Sequence, residues 1–274
     1  MTRAVVLTFA LAACDSGAGD AVDAPPLVDA GPNDHHPERV GVINLVDGNV
    51  FANLHDRAEL PTPTVVAREG ECAIYARPPQ AACAPACSDG LCTATNTCTP
   101  WPVDASADTI TVTGLRRPLA FRPGSFGYVA EPAPPDRLFD PGTTIRVSAP
   151  GAVTPAFSAT VIGTAQLAAP FQNLTLVDGK DQPIRWTAAN DATIQVSLVV
   201  GWHGAPYEAM LQCETADDGE LVIPGALISR LPRASSGLEP HPSWLRRFNR
   251  TIIDVPAGPI EVIAGSETPV YFTH

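Results

Sequence analysis

Residues 183–232, PIRWTAANDATIQVSLVVGWHGAPYEAMLQCETADDGELVIPGALISRLP, decide the fold. Apolar and polar side chains alternate over residues 194–200, which is the period of a strand with one buried face and one wetter face. The alternation repeats over residues 209–213, and the turn residues 216–219 precede a short return strand at 221–223. We therefore predict an antiparallel meander, followed by at most two turns of helix before Pro232.

The composition also indicates an all-β protein. The 274 residues include 29 Pro and 21 Gly, and the fragments between them are mostly short enough for strands and turns. The net charge of -12 argues against a nucleic-acid partner, because phosphate binding needs a concentrated basic surface. No apolar run approaches the roughly 20 residues of a membrane-spanning helix. We expect one large domain rather than two small ones.

The first 14 residues, MTRAVVLTFALAAC, have the pattern of a signal peptide, with Arg3 before an apolar run that ends at Cys14. The sequence LAAC at residues 11–14 resembles the lipobox of bacterial lipoproteins. That resemblance implies cleavage after residues 1–13 and lipidation of Cys14, which would anchor the chain to a membrane. The alternative is an ordinary secretory signal with an incidental Cys. Asp15 resembles an inner-membrane retention signal of enteric bacteria, but the choice between inner and outer membrane stays open.

Residues 14–38 are predicted to form a disordered, acidic tether. The segment is rich in Gly, Ala, Pro and Asp and has no apolar repeat, so it cannot offset the entropy of its own ordering. His35 and His36 are adjacent within it, but no third ligand is fixed nearby. We therefore predict no metal site and no cofactor.

Four cysteines crowd residues 78–102, a segment with few large apolar side chains: Cys83, Cys87, Cys92 and Cys98. A zinc site would need paired ligands across a longer gap, and the spacing fits that only loosely. Disulfides need an oxidising compartment and an even count, which the export signal and two further cysteines, Cys72 and Cys213, provide. We favour disulfides, although six cysteines allow 15 connectivities.

The short interleaved loops of this segment resemble small cysteine-rich repeats of the EGF kind. The resemblance implies that Cys83 pairs with Cys92 and Cys87 with Cys98. Cys72 and Cys213 would then pair with each other. Both lie in apolar strand patterns, so this pairing predicts that the two strands are neighbours in the core or across two sheets.

Short strand patterns, with turns every 8 to 12 residues, continue over residues 39–274 and are typical of a sandwich or barrel. We predict an all-β, antiparallel two-sheet sandwich over these residues, with residues 78–102 as a small disulfide-rich insertion. Trp186 and Cys213 resemble the Trp and Cys of immunoglobulin-like domains, although the full Cys-Trp-Cys spacing is not reproduced. The sandwich topology stays open.

A broader resemblance combines the lipobox, the acidic tether, FDPGTTIRVSAPGAVTPAF at residues 139–157, and a strand that ends in Cys213 before DDGE and an Ile-Pro step. In these features the chain resembles exported bacterial lipoproteins with a β-sandwich ectodomain of unassigned function. The resemblance covers roughly residues 139–232. It implies a surface protein in the cell envelope and assigns no catalytic residue.

Enzyme motifs do not emerge from the sequence. The segments around Ser125 and Ser235 do not fit a nucleophile turn, and there is no H-E-x-x-H, P-loop or G-x-G-x-x-G motif. Glu208 and Asp217 could be imagined as glycosidase acids, but nothing fixes their separation. Aspartates at turns, such as Asp217, suit the turns themselves better than a Ca²⁺ site. We predict no catalytic residue.

Aromatic residues give the single indication of recognition. Trp202, His203 and Tyr207 lie in one predicted loop between two strands, and Trp244 has cationic neighbours. Such rings bind sugars or partner proteins at low entropic cost, although Trp202 could instead cap an open end of the sandwich. We therefore expect a membrane-anchored, extracytoplasmic binding module for a glycan or envelope protein. The alternatives are a structural envelope-assembly lipoprotein and, with less support, a hydrolase.

Overall fold

The computed structural model describes residues 38–79, 81–125, 127–168, 172–189, 191–201, 208–233 and 243–274. The predicted signal peptide, the lipidation site Cys14 and the tether up to residue 37 lie outside the described residues. So do three of the binding candidates: Trp202, His203 and Tyr207.

The fold is all-β, as predicted from the sequence. In the first half of the chain the strands are β1 (Gly41–Asp47), β2 (Asn49–Leu54), β3 (Thr64–Glu69), β4 (Cys72–Ala76), β5 (Gly90–Ala94), β6 (Thr97–Pro100), β7 (Ile110–Thr113), β8 (Leu119–Gly124) and β9 (Gly127–Glu131). The second half has β10 (Thr144–Ala149), β11 (Phe157–Ile162), β12 (Gln172–Thr175), β13 (Gln182–Arg185), β14 (Thr193–Val200), β15 (Ala209–Ala216), β16 (Glu220–Ile223), β17 (Trp244–Val255) and β18 (Gly258–Thr273). Within the described parts of the chain, the one helix is α1 (Gly225–Ile228). No helix among these residues has the length and apolar character needed to cross a membrane.

The largest sheet has nine strands in the order β2-β1-β18-β17-β14-β15-β4-β3, with β12 also paired to β18. Most neighbours are antiparallel, but β1 and β12 both run parallel to β18. The prediction of a purely antiparallel sheet is therefore wrong at β18. This strand carries partners on both edges, so it joins the first strands of the domain to the later ones.

One face of this sheet, here called the core face, packs on two different partners. At the β1, β2 and β18 end it packs against a five-stranded sheet, β11-β10-β7-β8-β9, through a cluster that includes Ile43, Val262, Phe121 and Val147. At the β14, β15 and β4 end it packs against the two-stranded sheet β13–β16 and α1, and side chains of β12 and of the end of β18 join the same cluster. The two-sheet arrangement predicted from the sequence is too simple, because the described residues form four separate sheets and the second half of the core face is closed by smaller elements.

The predicted meander is correct for its first hairpin and wrong for its third strand. β14 and β15 pair antiparallel over their full lengths, as expected. β16 leaves this sheet and pairs with β13. The reason is that the free edge of β15 is already taken by β4, with Cys72 directly opposite Cys213. Trp186 does not lie on a central strand, as the resemblance to immunoglobulin-like domains implies, but follows β13 at the end of the two-stranded sheet.

The three disulfides follow the predicted pairing: Cys72–Cys213, Cys83–Cys92 and Cys87–Cys98. The first joins two neighbouring strands of one sheet. The other two hold the β5–β6 hairpin, in the connection between the nine-stranded and five-stranded sheets. The sulfurs of Cys83, Cys87 and Cys92 lie within 4.8 Å of one another. Disulfide sulfurs are not the thiolates that zinc requires, so the crowding reflects two bridges side by side.

Candidate binding site

The second face of the nine-stranded sheet, opposite the core face, carries the polar side chains that alternate with the core residues. Gln195, Ser197 and Val199 of β14 were predicted to form a wetter surface. That prediction is wrong for two of them, since Ser197 is 0% exposed and Val199 is 2% exposed. In the sheet register Ser197 lies between Gln212 of β15 and Trp244 of β17. The polar side chains at these positions therefore form a buried polar layer and do not face solvent.

A cavity of about 160 Å³ opens on this face, and we call it the groove. Strands β14, β15, β17 and β18 supply its walls, together with one residue that precedes β1. Its lining mixes cations, one carboxylate, amides, aromatic rings and aliphatic side chains: Arg39, Gln195, Met210, Gln212, Trp244, Arg246, Phe248, Arg250, Glu261 and Ile263. Ligand-binding sites are usually concave and combine apolar side chains with a few placed polar groups. The groove shares the concave form but is smaller and more polar, since six of its ten lining residues are charged or amide side chains.

Four charged side chains form a chain of ion pairs along the groove, here called the groove cluster: Arg39, Glu261, Arg250 and Glu214. Arg39 lies 2.8 Å from Glu261, and Arg250 lies 3.3 Å from the other oxygen of the same carboxylate. The second guanidinium nitrogen of Arg250 contacts Glu214. Paired charges at this depth hold one another in place, because separating any pair would leave a charge without compensation.

Burial and ion pairing shift the pKa values of the two carboxylates of the groove cluster in opposite directions. Burial raises the pKa of Glu214 to about 6, since loss of solvent outweighs the attraction of Arg250. Burial would also raise the pKa of Glu261, but Arg39 and Arg250 together lower it below its usual value. Arg250 is itself buried, yet the two carboxylates raise its pKa. Glu261 is thus the firmly ionised member, and Glu214 is the member that titrates nearest neutral pH.

The amides fix the geometry around Glu214. One of its oxygens accepts hydrogen bonds from Gln195 (2.6 Å) and Gln212 (3.2 Å), while the other accepts from Arg250. The oxygen of the Gln195 amide accepts from the indole nitrogen of Trp244 at 3.2 Å. Because both of its oxygens are already engaged, Glu214 is suited to organising the groove. It orients Gln195, and Gln195 in turn orients Trp244.

Arg246 also helps to fix the position of the Trp244 ring. The guanidinium carbon of Arg246 lies 5.3 Å from the ring centroid, within the range of a cation–π contact. Arg246 is also paired with Glu267 at 2.7 Å. The ring is therefore held at its nitrogen by Gln195 and over one face by Arg246.

Beneath these residues the hydroxyl of Ser197 is fully buried and has no hydrogen-bond partner among the described residues. Nearly all buried polar groups in folded proteins are hydrogen-bonded, and an unpaired one costs about 1–3 kcal/mol. This hydroxyl marks a position where a further polar partner would be stabilising.

The opposite face of the same strands holds a second buried charge pair, here called the core pair: Arg247 and Asp217. Their side chains are 2% and 0% exposed and lie 2.9 Å apart. Asp217 also accepts from the indole nitrogen of Trp186 at 2.7 Å, and Arg247 donates to the carbonyls of Gln166 and Thr187. This pair is enclosed on all sides. Asp217, considered above as a turn residue or an acid of a glycosidase, is therefore part of the core.

Of the four binding candidates identified from the sequence, Trp244 is the one that the structure describes, and it lines the groove. The residues that sequence reasoning missed are Gln195, Gln212, Glu214, Arg250 and Glu261. The segment WLRRFNR at residues 244–250 carried a signal for part of this site. Its alternate residues are Trp, Arg, Phe and Arg, so one face of a strand had to combine rings with cations.

In comparisons with known proteins, the chain matches no family model and no curated sequence. The function is therefore inferred from the groove itself.

Proposed function

We propose that the protein is a membrane-anchored, extracytoplasmic binding module whose ligand, a glycan or an envelope protein, occupies the groove. The sequence LAAC at residues 11–14 supports the anchor. The three disulfides support an oxidising compartment, because such bonds persist outside the reducing cytosol. Residues 14–38 would serve as the tether between the lipid and the domain.

The observation that carries the binding proposal is the convergence in one cavity of an oriented indole ring, two amides and a set of paired charges. Binding sites in rigid sheets combine an apolar surface with a few fixed polar groups. Trp244 supplies the first, and the groove cluster with Gln195 and Gln212 supplies the second. Each of these groups is held by a neighbour, so the site is formed before a ligand arrives.

The proposal is tested by screening the full chain against arrays of glycans and purified envelope proteins. Trp244→Ala should weaken binding of any ligand found by at least about tenfold, as expected when a central aromatic contact is lost. Trp101→Ala is the matched control, because Trp101 is 47% exposed and lies beside the β5–β6 hairpin, away from the groove. Equal binding by wild type and Trp244→Ala would contradict the groove as the site.

The anchor is tested separately in a bacterium that processes lipoproteins. Wild type should fractionate with membranes and carry the added mass of lipid on Cys14, whereas Cys14→Ser should do neither. Reduction should add six hydrogens to the mass, two for each of the three disulfides. A soluble, unlipidated wild-type chain would overturn the anchor without affecting the groove.

A role in envelope assembly is the second candidate, and one observation favours it. β3 is an edge strand of the nine-stranded sheet and exposes Val65 and Val66 at 44% and 49%. Edge strands with exposed apolar residues are able to pair with another chain. Val65→Lys should block assembly through this edge and leave ligand binding in the groove unchanged.

A further inference from the structure

We infer that the ligand of the groove is a neutral, hydroxyl-rich ring, such as one pyranose unit of a glycan. This inference rests on the proposed function, and it goes further by naming the chemistry that the groove selects.

The charges that line the groove balance one another. Three arginines line the groove, and each has a carboxylate partner: Arg39 pairs with Glu261, Arg246 with Glu267, and Arg250 with Glu214 and Glu261. Three guanidinium groups face three carboxylates, so the ionised set carries no net charge. An anionic ligand would have to displace a resident carboxylate, and a cationic ligand would have to displace a resident guanidinium. Such an exchange is most costly where the carboxylate is deeply buried, as Glu261 and Glu214 are at 5% and 1% exposed.

Once these ion pairs are formed, the groove still presents both hydrogen-bond donors and acceptors to a ligand. Arg39 uses one nitrogen for Glu261, and its side chain is still 36% exposed. The amide oxygen of Gln212 accepts no hydrogen bond from the described residues, since its nitrogen alone is engaged with Glu214. A hydroxyl group both donates and accepts, so adjacent hydroxyls on a ring satisfy a lining that presents a cationic donor near an amide acceptor.

The size and lining of the groove also fit a sugar ring. The groove has a volume of about 160 Å³. A closed apolar cavity of about 150 Å³ holds benzene, so a groove that opens to solvent has room for one six-membered ring whose hydroxyls point outward. Trp244 provides a fixed aromatic surface, and Met210 and Ile263 provide apolar lining. Sugar rings present C–H groups on one face and hydroxyls at the edge, which matches an aromatic surface bordered by polar groups.

The test follows the indole N–H signals of the ¹⁵N-labelled full chain by NMR during titration with size-matched ligands. The neutral probes are the methyl glycosides of glucose, galactose, mannose and N-acetylglucosamine. The charged probes are glucuronate and glucosamine. The signal of Trp244 is assigned as the one that disappears in Trp244→Phe. We expect at least one neutral probe to shift the Trp244 signal, with at least about tenfold higher affinity than either charged probe.

Matched variants locate the effect. Gln212→Leu removes the free acceptor and should weaken the neutral probe at least about fivefold, while Gln182→Leu, on β13 of the two-stranded sheet and outside the groove lining, should not change it. Binding of a charged probe at Trp244 in preference to all neutral probes would overturn the inference and leave the groove as the binding site. If no probe, and no glycan or protein of the arrays, shifts the Trp244 signal, both the inference and the proposed function are wrong.

Discussion

Two buried charge clusters lie on opposite faces of the same strands, and they differ in how completely they are enclosed. In the core pair, Arg247 and Asp217 are surrounded by backbone carbonyls and by Trp186. In the groove cluster, Arg250 and Glu214 are equally well paired, but the chain of ion pairs continues to Arg39, which is partly exposed. The comparison teaches that buried charge alone does not mark a binding site. A site also needs an opening to solvent and polar atoms that are not yet engaged.

The two clusters come from nearly the same positions in the sequence. Arg247 and Arg250 are three residues apart on β17, and an odd spacing places them on opposite faces of the strand. Glu214 points to the groove face of β15, whereas Asp217 follows the end of β15 and enters the core. Residues only three positions apart in the sequence thus belong to a structural ion pair in one case and to the candidate site in the other.

The largest expected effect comes from breaking the core pair. Asp217→Asn keeps the size of the side chain but leaves the Arg247 cation buried without a counter-charge. We expect the free energy of unfolding to fall by about 3–5 kcal/mol. Urea denaturation at neutral pH measures this loss directly.

The control for that experiment is Glu220→Gln, which removes one member of the exposed pair between Arg185 and Glu220. Exposed pairs contribute about 0–1 kcal/mol. If Asp217→Asn costs no more than this control, then enclosure does not distinguish the core pair from a surface pair.

An intermediate effect is expected from the titration of Glu214. Its pKa in the folded protein is raised from 4.5 to about 6, so the folded state holds the proton more tightly than the unfolded chain does. The contribution of Glu214 to the free energy of unfolding therefore falls as the pH rises from about 4.5 to 6, and it stays lower above that range. The loss is at most about 2 kcal/mol, and other carboxylates such as Glu261 act in the opposite direction because their pKa is lowered.

Glu214→Gln isolates this contribution, since glutamine has the same size and does not titrate. The free energy of unfolding of wild type minus that of Glu214→Gln should fall by up to about 2 kcal/mol between pH 4 and pH 7. A difference that is constant with pH would show that burial does not govern Glu214.

The smallest effect on stability is expected at the rim of the groove. Glu267→Gln removes the partner of Arg246, and these side chains are 21% and 12% exposed, so the cost should stay below about 1 kcal/mol. Binding should change more than stability does, because the groove gains a net positive charge. The affinity for glucuronate relative to methyl glucoside should rise by about threefold to tenfold, as measured by NMR titration. An unchanged ratio would contradict the argument from charge balance.

Local alternation was sufficient to predict the fold class and the β14–β15 hairpin. The pairing of the cysteines came from the resemblance to cysteine-rich repeats of the EGF kind, because the sequence by itself left 15 connectivities open. The sheet order was not accessible in this way. Whether β16 pairs with β15 or with β13 depends on β4 occupying the edge of β15, and that contact joins Cys72 to Cys213 across 141 residues.

The groove was largely hidden for a related reason. Gln195, Ser197, Gln212 and Glu214 occupy the polar positions of alternating strands, and polarity there is normally read as contact with water. Glu214 is buried instead beside Arg250, which comes from a strand 36 residues later. A single sequence shows which side chains share one face of a strand. It does not show which other strands are the neighbours of that strand in the sheet.

The final strand has a consequence for how the domain reaches its folded state. β18 pairs with β1 along one edge and with β17 along the other. Gly41 of β1 lies opposite Ile260 of β18, although these two residues are far apart in the sequence. Until residues 258–273 join the sheet, the β1–β2 hairpin is separate from the strands that follow β18 in the sheet order, β17-β14-β15-β4-β3. Both parts then have an unpaired edge strand. Contacts between such distant residues form slowly, because closing a long loop must precede any gain from pairing. The folding rate of the domain is therefore expected to be limited by the meeting of its first and last strands.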